Sequence, residues 1–344
     1  MQGKIRIVQC GLGIQGKEMV RIVLRKQKLE CVGAITLKTG VGKDLGDVVG
    51  ISRKLGVIIS SDLDAVLSQT KPDVMLDATR LHVAEVYPNV MKALKAGVNV
   101  VSICEELTNP WMKEPELARS LDETAKKNNV TIVATGINPG FNLDVLPLTL
   151  TGVCAAVNRI KVERVADLGA SAASPTVVEA FGWGLSPDEV NKKLAEGKIS
   201  MHVGLPETIN VLADALGWIL TDVQEEKEAL VSEVARNYPH LQIKPGQVFG
   251  CKYNGYGIKD GETVIEFKAI VCLNPTLETD GIEPSYTLWI EGEPNITINI
   301  DGLSTNQGIR IGTAAHAVNW IPYVIKAKPG LLMTKDYPLI TFSS

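Results

Sequence analysis

Residues 10–16 read Cys10-Gly11-Leu12-Gly13-Ile14-Gln15-Gly16, a G-x-G-x-x-G stretch, and its surroundings decide the fold. The segment that runs into it, Lys4 to Cys10 (KIRIVQC), has the β-branched character of a strand. Gln15 to Lys26 carries Met19, Val20, Val23 and Leu24 at three- and four-residue spacing and reads as a helix. A strand that turns on glycines into a helix offers the helix N-terminus, with its unpaired N–H groups and positive dipole end, to an anion. Gly11 permits the tight turn, Gly13 lets the backbone approach a pyrophosphate, and Gly16 lets helix and strand pack closely. The stretch predicts a dinucleotide site in which Gly11, Gly13, Ile14, Gln15 and Gly16 cradle the phosphates.

Outward from this turn, short apolar runs alternate with helical patterns. Strands are expected at Cys31 to Leu37, Val74 to Asp77, Val98 to Cys104 and Thr131 to Thr135. Helices are expected at Asp62 to Gln69, Ala84 to Ala96 and Glu114 to Asn128. Five strands with crossovers predict a Rossmann-type, doubly wound parallel sheet in an α/β fold. Beyond it the pattern changes. Ile160 to Asp167 reads as a strand, Ser186 to Gly197 and Leu205 to Leu220 as helices. Glu262 to Leu273, Tyr286 to Glu291 and Asn295 to Ile300, separated by turn residues, read as a mainly antiparallel sheet of an α+β domain. Ser186-Pro187-Asp188-Glu189 is a capping-box start. Gly312 to Ala327 reads as a closing helix. The expected organisation is a dinucleotide-binding domain over 1–145, a substrate-binding and dimerisation domain over 146–310, and a C-terminal helix and tail over 311–344 that return to the first domain.

Composition narrows the partners. The chain has 344 residues, 45% hydrophobic and 22% charged, with a formal net charge of −4 and no basic stripe. Nucleic acid and anionic membranes, which are bound by clustered Lys and Arg, are therefore not expected. The longest run without a charged side chain, Asn128 to Leu143, has 16 residues and contains four Asn, whereas a spanning helix needs about 20 mostly apolar ones. The N-terminus shows no basic region followed by a long apolar one, and the six cysteines form no C-x-x-C pair. A cytoplasmic protein with reduced, packed thiols that acts on a small molecule is expected. Four widely separated histidines with no cysteine beside them predict no metal site.

In an open parallel sheet the ligand lies beyond the carboxyl ends of the strands. There the sequence places Ala78, Thr79 and Arg80, with His82 close by, then Glu105 and Glu106, then Thr135-Gly136-Ile137-Asn138-Pro139-Gly140-Phe141. The end of the second strand discriminates NAD from NADP. It holds Thr36 and Lys38 and no acid at Thr36, which favours NADP or dual use. Two adjacent carboxylates at a strand end are costly if both are buried and charged, so one is expected to face the cleft. A carboxylate there can steer a cationic substrate, take an ammonium proton and activate the water that hydrolyses an imine. Spacing alone does not choose between Glu105 and Glu106. His316, within Ala314-Ala315-His316-Ala317-Val318-Asn319-Trp320, either lines the cleft or is a hydrogen-bonded core histidine. His202 and His240 read as surface residues.

The pattern resembles the 2,4-diaminopentanoate dehydrogenases and the related native amine dehydrogenases, with an N-terminal half similar to dihydrodipicolinate reductases. The residues that carry the resemblance are the glycine turn, Val41 to Gly46 (VGKDLG), Asn99 to Glu106 (NVVSICEE), Thr135 to Phe141 (TGINPGF), and the closing AAHAVNWIP and KPGLL. It implies NAD(P)-dependent oxidative deamination of a short amine, such as 2,4-diaminopentanoate, with Glu105 or Glu106 in the catalytic role. It also implies a homodimer formed through the C-terminal sheet. Asn138 is expected at the cofactor, and Phe141, Arg164, His316 and Asn319 at the substrate. Lys252 and Arg310 are alternative cations for a substrate carboxylate. Family members often have Asp where this chain has Thr36. Competing readings are an imine reductase or an alcohol or sugar dehydrogenase, for which a Lys or His at the strand end is expected, and a nucleotide sensor without turnover.

Overall fold

The computed structural model describes residues 3–37, 40–201 and 203–342, with only the backbone described at Thr176; Lys38 and His202 lie outside the described residues. The chain divides into two units, Met1–Phe141 with Arg310–Ser344, and Asn142–Ile309. The first unit opens with β1 (Ile5–Cys10), α1 (Ile14–Val23), β2 (Leu29–Ile35), α2 (Leu45–Val49), α3 (Leu63–Thr70), β3 (Val74–Asp77), α4 (Val83–Lys95), β4 (Asn99–Ser102), α5 (Pro115–Lys127) and β5 (Thr131–Ala134). The second holds α6 (Val145–Thr151), β6 (Ala156–Asp167), α7 (Pro175–Phe181), α8 (Pro187–Ala195), α9 (Leu205–Ala215), β7 (Asp222–Val231), β8 (Arg236–Tyr238), β9 (Leu241–Ile243), β10 (Val248–Lys259), β11 (Glu262–Cys272), α10 (Leu277–Asp280), β12 (Ser285–Glu293) and β13 (Ile296–Asn299). The chain closes with α11 (Asn306–Val324) and β14 (Gly330–Leu332).

The first sheet runs β14-β5-β4-β3-β1-β2, every pair parallel. Its strands are apolar on both sides because both sides are covered. Ile7, Val74, Leu76, Val101 and Val133 pack in one core with α1, α2 and α11, while Val8, Met75, Val100, Ile132 and Ala134 pack in another with α3, α4 and α5. The chain leaves β1 toward β2 and then crosses to β3, so the strand order reverses between β1 and β3. The crevice beyond their carboxyl ends is where ligands bind in such sheets.

The second sheet runs β13-β12-β6-β11-β10-β7; β6 and β11 are parallel and the other neighbours antiparallel. Its inner face, including Val162, Phe267, Tyr253 and Leu288, packs beneath α9 and adjacent segments. The Rossmann-type sheet and the mainly antiparallel second sheet expected from the sequence are both present. The capping box at Ser186 forms as well: its hydroxyl accepts the Glu189 N–H, and the Glu189 carboxylate accepts the Ser186 N–H.

Several elements differ from the sequence reading for identifiable reasons. The helix expected to reach Leu220 stops at Ala215, because Gly217 adopts φ +68 just beyond it. The closing helix starts six residues early, at Asn306. Gly308 makes this possible, since a Cβ there would stand 1.8 Å from the Gly302 carbonyl oxygen. Strand β10, for which the sequence reading names no element, carries Gly255 and Gly257. They face α9, where a Cβ on either would come within 2.9 Å of the Ile209 side chain. Strand β14 is only three residues long and was legible only as tail.

Candidate active site

At the glycine turn the three glycines do different work. Gly11 has φ +89, and a Cβ on it would stand 2.5 Å from the Ala78 oxygen. A Cβ on Gly16 would stand 2.0 Å from the Gly11 oxygen. Gly13 is the opposite case, because its Cβ would meet nothing within 4 Å. Gly13 is also the N-cap of α1 and supplies no side-chain cap to the first-turn N–H groups. Behind the turn, the Gln9 side chain donates to the carbonyls of Cys10, Gly11 and Leu76. Sequence reading passed over Gln9, although an amide inside an apolar strand is a visible anomaly.

Two buried oxygens, Gln15 Oε1 at the turn and Asn138 Oδ1 in the segment after β5, have no partner among the described residues. An open cradle at a helix N-terminus with uncommitted acceptors fits a dinucleotide. Gln15 and Ile14 form the first turn of α1. At the end of β2, Thr36 is 9% exposed and its N–H donates to the Ser60 carbonyl, and Leu37 is exposed.

At the ends of β3 and β4 the turns are stitched together. The N–H groups of Ala78 and Ile103 donate to the carbonyls of Cys10 and Asp77, and the Glu106 N–H donates to that of Leu81. Arg80 pairs with Glu85 at 3.4 Å. The two adjacent glutamates differ in environment. Glu106 is 7% exposed; its Oε2 accepts the Val83 N–H at 2.8 Å, at the first residue of α4. Its Oε1 lies 3.6 Å from His82 Nδ1 and 3.9 Å from Lys113 Nζ. Glu105 is partly exposed and opens the 3-10 turn that follows β4, where its carbonyl accepts from the Thr108 hydroxyl. The thiols of Cys10 and Cys104, both buried beside Asp77, are pushed up by burial and by that carboxylate, and hold no reactive thiolate.

The segment after β5 is compact, and Gly140 at φ +117 leaves its Cβ position 2.2 Å from the Gly136 nitrogen. His316 on α11 fastens it: Nδ1 is 2.7 Å from Thr135 Oγ1, and the ring lies 5.5 Å from that of Phe141. Burial lowers the His316 pKa to about 4, against the hydrogen bond it makes with Gly136, so the ring is neutral at physiological pH. Asn319, three residues on, accepts from Lys26 Nζ at 3.0 Å, just past the C-terminus of α1.

In the second unit Arg164 lies on the inner face of β6, 5% exposed, with Nε donating to Ser304 Oγ at 3.3 Å. Its cross-strand neighbour Tyr286 donates to the Asn142 carbonyl at 2.5 Å. The alternative cations are engaged elsewhere. Lys252 pairs with Glu228 among exposed side chains, and Arg310 pairs with the buried Glu18 on α1.

Residues 141–342 match the family described as "2,4-diaminopentanoate dehydrogenase C-terminal domain", and residues 5–109 match "Dihydrodipicolinate reductase, N-terminus". Over 339 residues the chain is 34% identical to a 2,4-diaminopentanoate dehydrogenase of Acetoanaerobium sticklandii, covering 98% of this chain and 94% of that protein. The chain belongs to the 2,4-diaminopentanoate dehydrogenase family. An amine dehydrogenase of Streptomyces virginiae is 25% identical, over 97% of this chain and 96% of its own length. The same architecture recurs in the structure of an amine dehydrogenase from Mycobacterium smegmatis, with a TM-score of 0.89, 24% identity and coverage of 99% and 98% of the two chains. As a family member the protein is an oxidoreductase acting on amines with a nicotinamide cofactor.

Proposed function

We propose that the protein oxidises 2,4-diaminopentanoate at C4, giving 2-amino-4-oxopentanoate and ammonia, with NADP or NAD as acceptor. The observation that carries this reading is the carboxylate pair after β4, in a chain that aligns almost end to end with an enzyme of that name. Bound beside the carboxyl ends of the strands, the nicotinamide would accept the hydride from the amine-bearing carbon. The phosphates would rest on the N–H groups after Gly13, with Asn138 Oδ1 and Gln15 Oε1 receiving donors from the dinucleotide. Ala78, Thr79 and Arg80 would edge it.

The chain's own work is proton handling. An alkylammonium group must lose a proton before its carbon can release hydride, and the imine that follows needs an activated water. Glu106 is buried and Glu105 is partly exposed, which supports Glu105 as the acceptor of that proton and then as the base for the water. Glu106 would hold the turn in place. Phe141 and His316 would shape the apolar side. The sum balances: the ammonium substrate, oxidised cofactor and water give ketone, ammonium ion, reduced cofactor and one proton. Thr36 at the end of β2, where NAD enzymes carry an acid, supports NADP or dual use.

Reduced-nicotinamide formation with a panel of diamines, amino acids and alcohols, each with NADP and NAD, tests the reading. Turnover confined to alcohols overturns it.

The reading extends to a cytoplasmic homodimer. Six free thiols, five of them buried, support the compartment. The outer face of the second sheet supports the dimer. It carries both signs of charge in Arg159–Glu266 and Lys161–Glu163, together with Trp289 beneath Lys161. Light scattering that gives a monomer would remove the dimer from the reading.

A further inference from the structure

Asp77, the last residue of β3, is 1% exposed at the carboxyl edge of the parallel sheet. Neither the phosphate cradle nor the glutamate pair uses it. Its Oδ1 accepts the Thr79 hydroxyl at 2.6 Å and its Oδ2 accepts the Ser102 hydroxyl at 2.7 Å. Ser102 Oγ in turn accepts the Cys104 N–H at 3.0 Å, one residue before Glu105. Burial pushes its pKa up, further than the two hydroxyls and the Thr79 N–H pull it back. A buried carboxylate is expensive, and its position calls for a reason.

Hydroxyl arithmetic supplies one. A hydroxyl has a single proton and two lone pairs. The Thr79 and Ser102 hydroxyls each give that proton to one Asp77 oxygen, which fixes their polarity. One lone pair of Ser102 serves the Cys104 N–H. Thr79 is half-buried and lies against the glycine turn, since its Cγ2 would stand 3.1 Å from a Cβ on Gly11. It is left with lone pairs only, matched to a ribose hydroxyl or a carboxamide N–H.

We propose that Asp77 is a positioning residue for the dehydrogenase reaction: it makes Thr79 an acceptor toward the dinucleotide and, through Ser102, holds the turn that carries Glu105. This rests on the nicotinamide reading of the first unit. The same residue thereby couples cofactor binding to placement of the proton acceptor.

The test compares full-length wild type with Asp77→Asn, Thr79→Val, Thr79→Ser and Ser102→Ala. The readouts are the melting temperature without ligand, Kd for NADPH and NADH by fluorescence, and kcat with 2,4-diaminopentanoate at saturating cofactor. Thr79→Val is expected to raise Kd about tenfold, and Ser102→Ala to lower kcat about tenfold with Kd unchanged. Asp77→Asn is expected to do both, and Thr79→Ser to restore wild-type Kd. If Asp77→Asn does not fold, the Thr79 and Ser102 variants decide. The proposal is overturned if Thr79→Val and Ser102→Ala leave both constants within about twofold of wild type, or move Kd and kcat together in step with melting temperature. Wild-type protein that binds neither NADPH nor NADH overturns the nicotinamide reading itself. Binding by wild type with unmoved variants overturns only the role of Asp77.

Discussion

Glu106 Oε2 accepts the Val83 N–H at 2.8 Å, so one of two adjacent carboxylates closes the N-terminus of α4 while its neighbour Glu105 is left partly exposed. A carboxylate at that end of a helix satisfies an orphan donor and the positive end of the dipole together. Replacement of the two residues should therefore have separable effects. Glu105→Gln should lower kcat about 100-fold with little change in melting temperature, because a positioned acid-base group contributes on that scale. Glu106→Gln should lower stability by about 1 kcal/mol in urea denaturation, from a weaker cap. Full kcat in Glu105→Gln would remove it from the mechanism.

Gly13 and Gly16 should separate in the same way. Gly13→Val places its side chain in the open cradle and should raise Kd for NADPH at least about tenfold, with the unfolding midpoint little changed. Gly16→Ala drives a Cβ to 2.0 Å from the Gly11 oxygen and should destabilise the fold by about 2–4 kcal/mol, read by denaturant titration.

His316 predicts an acid limb in stability. Its folded pKa, about 4, lies below its ordinary 6.5, so the native state prefers the neutral ring. The contribution is complete above pH 6.5 and is lost as pH falls from 6.5 toward 4, since the unfolded chain takes the proton first. Its size over that window is about 3 kcal/mol. Denaturation midpoints of wild type and His316→Gln should converge as pH falls through this range; parallel curves would remove His316 as the cause.

Thr36→Asp should shift coenzyme preference toward NAD. A carboxylate at the end of β2 bonds a ribose 2′-hydroxyl and repels a 2′-phosphate, so the ratio of kcat/KM for NAD over NADP should rise about 10- to 100-fold. An unchanged ratio would place the discriminating group elsewhere.

The sequence determined the local elements and their kind. The glycine turn between KIRIVQC and an amphipathic segment, the alternation of strands and helices through Ala134, and the Ser186 capping box all rest on periodicity and short-range hydrogen bonding, which are written in neighbouring residues. What only the tertiary structure decided depends on partners distant in the chain. Glu105 and Glu106 are adjacent and chemically equal, and it took Val83, 23 residues away, to make them different. Asp77 was one acid among many until Ser102 arrived from the next strand. Asn319 accepts from Lys26, at the other end of the chain. Gly255 and Gly257 owe their place in a strand to the Ile209 side chain of α9, more than forty residues away. Burial and long-range hydrogen bonds set the charge state, polarity and availability of a side chain, and neither is a local property of the chain.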